Sequence, residues 1–158
     1  MADTNEVAIT HLQRRKIEGR VLIRFIEALR DKLGEAVAHE IVDETIRKLA
    51  AEDGARWAAS YGPTTASMRQ VAEEVWAGGG GMDVQIIAQS KDHLDFNVTR
   101  CRYAEFYQEL GLSDLGFRVH CKRDYAMLMG FNSELELSRN QTIMEGATHC
   151  DFRFRRRG

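Results

Sequence analysis

MDVQIIAQSKDHLDFNVTR, residues 82–100, is the stretch on which the fold turns. In its second half Leu94, Phe96 and Val98 alternate with Asp95, Asn97 and Thr99. A period of two sends successive side chains to opposite faces, so this run reads as a strand with one face in a core and one in water. MDVQIIAQS ahead of it is β-like as well, and Lys91-Asp92 between the two runs suits a tight hairpin.

Toward the N-terminus the period changes. In KIEGRVLIRFIEALRDKLG, residues 16–34, Ile17, Val21, Phe25, Leu29 and Leu33 recur every fourth position, Leu22 and Ile26 widen the stripe, and Gly34 supplies a stop. That is an amphipathic helix whose stripe suits a core or a second copy of the chain, so a homo-oligomer is among the expected assemblies. A second helix follows with Val37, Ile41, Ile46 and Leu49 as its apolar face. Pro63 ends the linker, and Thr64 or Thr65 caps a third helix carrying Met68, Val71, Val75 and Trp76. Gly78–Gly81 stop it. No lysine and hydroxyl follow spaced glycines there and no strand precedes them, so the run is not a phosphate loop and reads as a flexible hinge.

Toward the C-terminus, RYAEFYQELG and VHCKRDYAMLMG read as helices ending at Gly111 and Gly130. The close reads as a hairpin: ELELSRNQTIM, a turn at Glu145-Gly146, then THCDFRFR. One domain over residues 1–158 results, with a helical part (1–77), the glycine hinge (78–81) and a strand-rich part (82–158). Its fold class is α+β, with helices packed on one face of an antiparallel sheet of about four strands.

The bulk composition agrees with a single globular domain: 158 residues, 44% hydrophobic and 29% charged. A net charge of −2 excludes a generally basic nucleic-acid binder, and the basic tail of Arg153, Arg155, Arg156 and Arg157 reads as a solvated terminus. No apolar run approaches a membrane span, and MADTNEVAITHLQRRK has no hydrophobic signal core. The expected location is the cytoplasm, with neither membrane nor nucleic acid as partner. Three cysteines, an odd number, argue against a disulfide framework.

Those cysteines carry most of the chemical interest: Cys101 at a strand-to-helix junction, Cys121 in a short helix and Cys150 in the last strand. They stand twenty and twenty-nine positions apart with no C-x-x-C, which is poor zinc spacing, and neither metal nor cofactor is expected. Cys150 shares strand parity with Phe152 and Phe154, which fits packing. The opposite parity holds His149, Asp151 and Arg153 and is either a site or a solvated face. Cys121 and Asp124, three apart on a helix, point the same way. A nucleophilic Cys121 needs a base from elsewhere in the fold, and His149 is the candidate. His11, His39 and His93 read as surface or core histidines.

CRYAEFYQELGL, the C-x-x-D of CKRD with the following MGFN, and the closing LSRNQTIMEGATHCDFRF resemble the L-2-amino-thiazoline-4-carboxylic acid hydrolase family over Cys101 to Phe154. Asn140 departs from that pattern, which more often has threonine there. The resemblance implies a hydrolase acting on a non-peptide C–N bond of a small cyclic substrate, a cyclic amidine, isothiourea, imide or lactam. Its named substrate is opened by water to an N-carbamoyl or S-carbamoyl cysteine. Set against that chemistry, the catalytic candidates are Cys121, Asp124 and His149, with Cys101 and Cys150 behind them. The substrate-binding candidates are Arg139, Thr142, Asp151 and Arg153, the arginines as bidentate partners for a carboxylate. Two other classes stay open: a non-catalytic small-molecule sensor or binding module of the same fold, and a protein binding metal through its cysteines and His149.

Overall fold

The alternation at residues 93–100 becomes β2 (His93–Cys101), an inner strand of a four-stranded antiparallel sheet. The sheet order is β1 (Met82–Gln89), β2, β4 (Cys150–Arg156), β3 (Leu135–Ser138). This computed structural model describes residues 8–158. In the β2–β4 register Leu94 lies opposite Phe154, Phe96 opposite Phe152 and Val98 opposite Cys150. Both apolar parities therefore share one face, where the Phe96 and Phe152 rings stack at 4.8 Å. Burying each such side chain contributes about 1.5–3 kcal/mol. The helices cover this face, and Asp83, Gln85 and Ile87 stand exposed on the other.

α1 (His11–Leu33) starts at a capping box, in which Thr10 accepts the Gln13 N–H and the Gln13 side chain accepts the Thr10 N–H. Gly34, at φ 83°, joins it to α2 (Glu35–Tyr61). The four-residue stripe of α1 does not face the core. Leu12, Gly19, Ile23 and Ile26 do, while Ile17, Val21, Phe25 and Leu33 are exposed. α2 behaves alike: Ala38, Val42, Ile46 and Ala50 are buried, and Val37, Ile41 and Leu49 are exposed. The reason is contact distance. The inner faces meet other backbones and rings closely, so they carry small residues that weaken the apolar signal. A Cβ on Gly19 would stand 3.1 Å from the Phe106 ring, and one on Gly54 would collide with the Met127 carbonyl.

α3 (Thr65–Gln70) starts at Thr64, whose hydroxyl accepts the Ser67 N–H, and widens into a π turn over Val71–Trp76. Gly78–Gly80 form a 3-10 turn, and the Gly81 carbonyl accepts the Arg102 N–H at 3.0 Å. α4 (Arg102–Glu109) follows β2, then α5 (Ser113–Gly116), a π turn over Phe117–Cys121, and α6 (Arg123–Phe131), which packs along α2.

The closing hairpin is shorter than its β-like residues suggest. Pairing stops at Ser138, and Ile143–Glu145 form a 3-10 turn. Local bonds outcompete the ladder there. Thr142 accepts the Glu145 N–H, the Cys150 sulfur accepts that of Ile143, and Asp151 accepts those of Asn140 and Gln141.

Candidate active site

The expected site residues divide into an inner and an outer group. Cys101, Cys121 and Cys150 lie near enough to Asp124 to feel its charge, and Arg139 acts likewise on Cys121 and Cys150. Arg139 donates to Asp124 and, at 2.9 Å, to the Cys121 carbonyl, with its guanidinium over the Phe152 ring at 5.0 Å. The outer group sits elsewhere. Arg153 lies on the open face of the sheet and donates to the Phe96 carbonyl and to Asn97. Asp151 holds two loop N–H groups, and Thr142, buried, donates to Glu145 at 2.7 Å. His149 precedes β4 and contacts Gln141 and Thr148. Because β4 sends Cys150, Phe152 and Phe154 inward, its polar parity cannot reach the interior.

The inner thiols are in poor surroundings for a thiolate. Burial pushes Cys101 up to about 12, with the Ala104 N–H, 3.4 Å from its sulfur, pulling the other way. Burial also raises Cys121 well above the ordinary thiol value despite the nearby Arg139, and it raises Cys150. Cys101 caps α4 and Cys150 holds the Ile143 turn, so both have structural work. Among the described residues, no group of three or more His, Cys, Asp or Glu side chains could hold a metal ion.

Beside the cysteines lies a chamber that sequence reading missed. His11, Trp57, Trp76, Met82, Tyr103, His120, Arg123, Asp124 and Met127 enclose about 20 Å³ between the helices and the sheet. That volume holds about one water molecule. The His120 ring stacks on Tyr103 at 4.5 Å, His11 stands edge-on to Tyr103 at 6.0 Å, and the Tyr103 hydroxyl donates to the Trp76 carbonyl at 2.9 Å. Burial, reinforced by Arg15 and Arg123, pushes His11 down to about 3; burial with Arg123 and Arg15 also takes His120 well below its ordinary value. Both imidazoles are therefore neutral and carry one N–H donor each. His11 Nε2 accepts from Arg15 at 3.4 Å, which leaves its proton on Nδ1. Burial pushes the Asp124 carboxyl up, and Arg139 offsets only part of that rise.

His11, Trp57 and Arg123 also line an open vestibule of about 570 Å³, which therefore adjoins the chamber. Arg14, Arg15, Arg56 and Arg123 face Glu18, Glu52 and Asp53 in it. Asp53 organises this wall: it accepts from Arg15 at 2.6 Å, from Arg123 at 2.8 Å and from Arg56. Burial alone would raise its carboxyl, but Arg15, Arg123 and Arg56 outweigh burial and hold it below the usual range.

The architecture is thus an α+β domain with a small polar and aromatic chamber under its helices, adjoining a mixed-charge vestibule. The sequence pattern of the L-2-amino-thiazoline-4-carboxylic acid hydrolase family matches residues 14–154, and the chain belongs to that family. The match takes in the helical first half, which carries no distinctive motif of its own. Among curated proteins none matches the sequence. Among the solved structures that share the fold are two of different kinds. One is the phenol-responsive sensory domain of the transcription activator PoxR with phenol, at TM-score 0.52 and 14% identity, covering 86% of this chain and 73% of that one. The other is a trafficking protein particle complex subunit 3 from Naegleria fowleri covalently bound to palmitic acid, at TM-score 0.53 and 11% identity, covering 94% and 95%. At these identities the likeness concerns the fold alone. No helix among the described residues is long and apolar enough to cross a membrane.

Proposed function

We propose that the protein is a hydrolase that opens a small cyclic C–N substrate at the mouth of the chamber, with L-2-amino-thiazoline-4-carboxylate as the first compound to test. The observation that carries this reading is the meeting of Asp124, whose proton affinity is raised, with two neutral imidazoles in a chamber the size of one water.

The substrate rests in the vestibule, its carboxylate on the arginines and its amidinium near the acids. Asp124 as carboxylate takes a proton from water while the oxygen attacks the carbon between sulfur and the two nitrogens. The neutral N–H groups of His120 and His11 donate to the polar atoms of the tetrahedral intermediate. The bond from that carbon to the ring sulfur or ring nitrogen then breaks. The leaving atom takes the proton back from Asp124, and the product is heavier by one water. Arg139 positions Asp124. The covalent route through Cys121 needs a thiolate that burial opposes.

A second reading, a binding module without turnover, is favoured by the smallness of the chamber and by the fold shared with a sensory domain. Incubation with a panel of cyclic amidines, isothioureas, imides and lactams, followed by mass, decides between the two. A gain of one water supports the hydrolase. Calorimetric binding with no change of mass supports the module.

A further inference from the structure

Seven of the twelve exposed large hydrophobic side chains among the described residues lie on the α1–α2 hairpin. On α1, Ile17, Val21 and Phe25 expose 57%, 56% and 65% of their surface. Four-residue steps advance about 40° around a helix, so these three make one narrow stripe. Val37, Ile41 and Leu49 continue the apolar surface on α2, and the groove between the helices encloses about 550 Å³. Scattered exposed leucines need no explanation, but a continuous apolar face on a charged protein marks an interaction surface.

We propose that this face binds a second copy of the chain, with α1 of each subunit packed along α2 of its partner. Charge decides the arrangement. The flank of α1 turned away from α2 carries Arg20 and Arg24, and the flank of α2 turned away from α1 carries Glu40 and Glu44, all exposed. Pairing α1 with α1 in antiparallel fashion about the level of Leu22 would bring Arg20 of one copy beside Arg24 of the other, like against like. A two-fold axis parallel to the helices instead lays the basic flank over the partner's acidic flank. The heights agree. Gly34 alone joins the antiparallel helices, so residue i of α1 stands level with about residue 68 − i of α2. Arg24 is therefore level with Glu44, and the axis preserves that level, setting Arg24 over the partner's Glu44. Within one chain Arg24 bonds Glu27 and Lys48 bonds Glu44, so the contact extends two existing pairs into a network. By symmetry it forms twice.

The test is the solution mass of the full chain by sedimentation across a concentration series. The wild type is expected at twice 18.0 kDa, and Val21→Asp at the monomer mass with an unchanged circular dichroism spectrum. Arg24→Glu and Glu44→Arg are each expected to weaken the dimer about tenfold, and the double reversal to restore it. A monomeric wild type at every concentration, a dimeric Val21→Asp, or a double reversal no tighter than the single ones would overturn the proposal. In the first case the face serves a partner of another kind.

Discussion

Asp53→Asn removes one charge and leaves the shape of the side chain. Asp53 and Arg123 are each 10% exposed at the side chain and Arg15 is 13% exposed, so two buried guanidinium groups lose their counter-charge together. Removing one partner of a buried ion pair costs about 3–5 kcal/mol. The vestibule gives Arg15 some access to water, so the low end applies, about 3 kcal/mol, or about 6–12 °C in Tm for a domain of this size. The pH dependence has a definite sign. The folded Asp53 carboxyl is held below its ordinary value of 3.8. Its stabilisation is thus fully present above that value and is lost as pH falls through the depressed one. Urea unfolding of both proteins at pH 7, 5 and 3 should give the full difference at the first two and a smaller one at the third. A difference below about 1 kcal/mol at pH 7 would refute the argument, since that is the scale of an exposed pair. So would a difference that stays constant into acid.

Other expectations follow from the same contacts. His120→Phe keeps a ring on Tyr103 but removes the N–H donor; turnover should fall about 10²–10³-fold with Tm nearly unchanged, and unaltered kcat would take His120 out of the chemistry. Cys121→Ala should keep turnover within a few-fold, and the native thiols should resist an alkylating reagent until the chain unfolds; fast labelling of Cys121 with matching loss of activity would restore the covalent route. Gly54→Ala drives a methyl group into the Met127 carbonyl of α6 and should cost about 3 kcal/mol or more, read by thermal unfolding; a neutral result would mean that α2 and α6 lie farther apart.

The sheet was legible because its two inner strands alternate cleanly. Leu94, Phe96 and Val98 point inward, and so do Cys150, Phe152 and Phe154. Helix α1 was legible as a helix and misleading as to its inner face. Its strongest periodic stripe lies outside, and the buried face includes Gly19, which no hydrophobic pattern counts. The strand reading of residues 141–144 failed because side chains from Thr142, Cys150 and Asp151 captured the backbone N–H groups a ladder needs. Within the site, Asp124 and Arg139 were readable from the motif. His11 and His120 were not: residues 11, 57, 76, 103, 120 and 124 meet only when α1, α2, the π turn after α3, α4 and the turn into α6 converge. The hint available was spacing: His120 and Asp124 stand four apart, which on a helix puts both on one face.

The most direct measurement compares wild type and Asp124→Asn on L-2-amino-thiazoline-4-carboxylate, following the mass of the product as a function of pH. The wild type should yield a product heavier by one water. Its activity should fall in acid along a limb above the ordinary carboxylate value of 3.8, because the base is lost when Asp124 takes up its proton. The variant should be slower by about 10²–10⁴-fold and lack that limb. A variant as fast as the wild type, or one slowed but retaining the same acid limb, would contradict the role of Asp124 and move the chemistry out of the chamber.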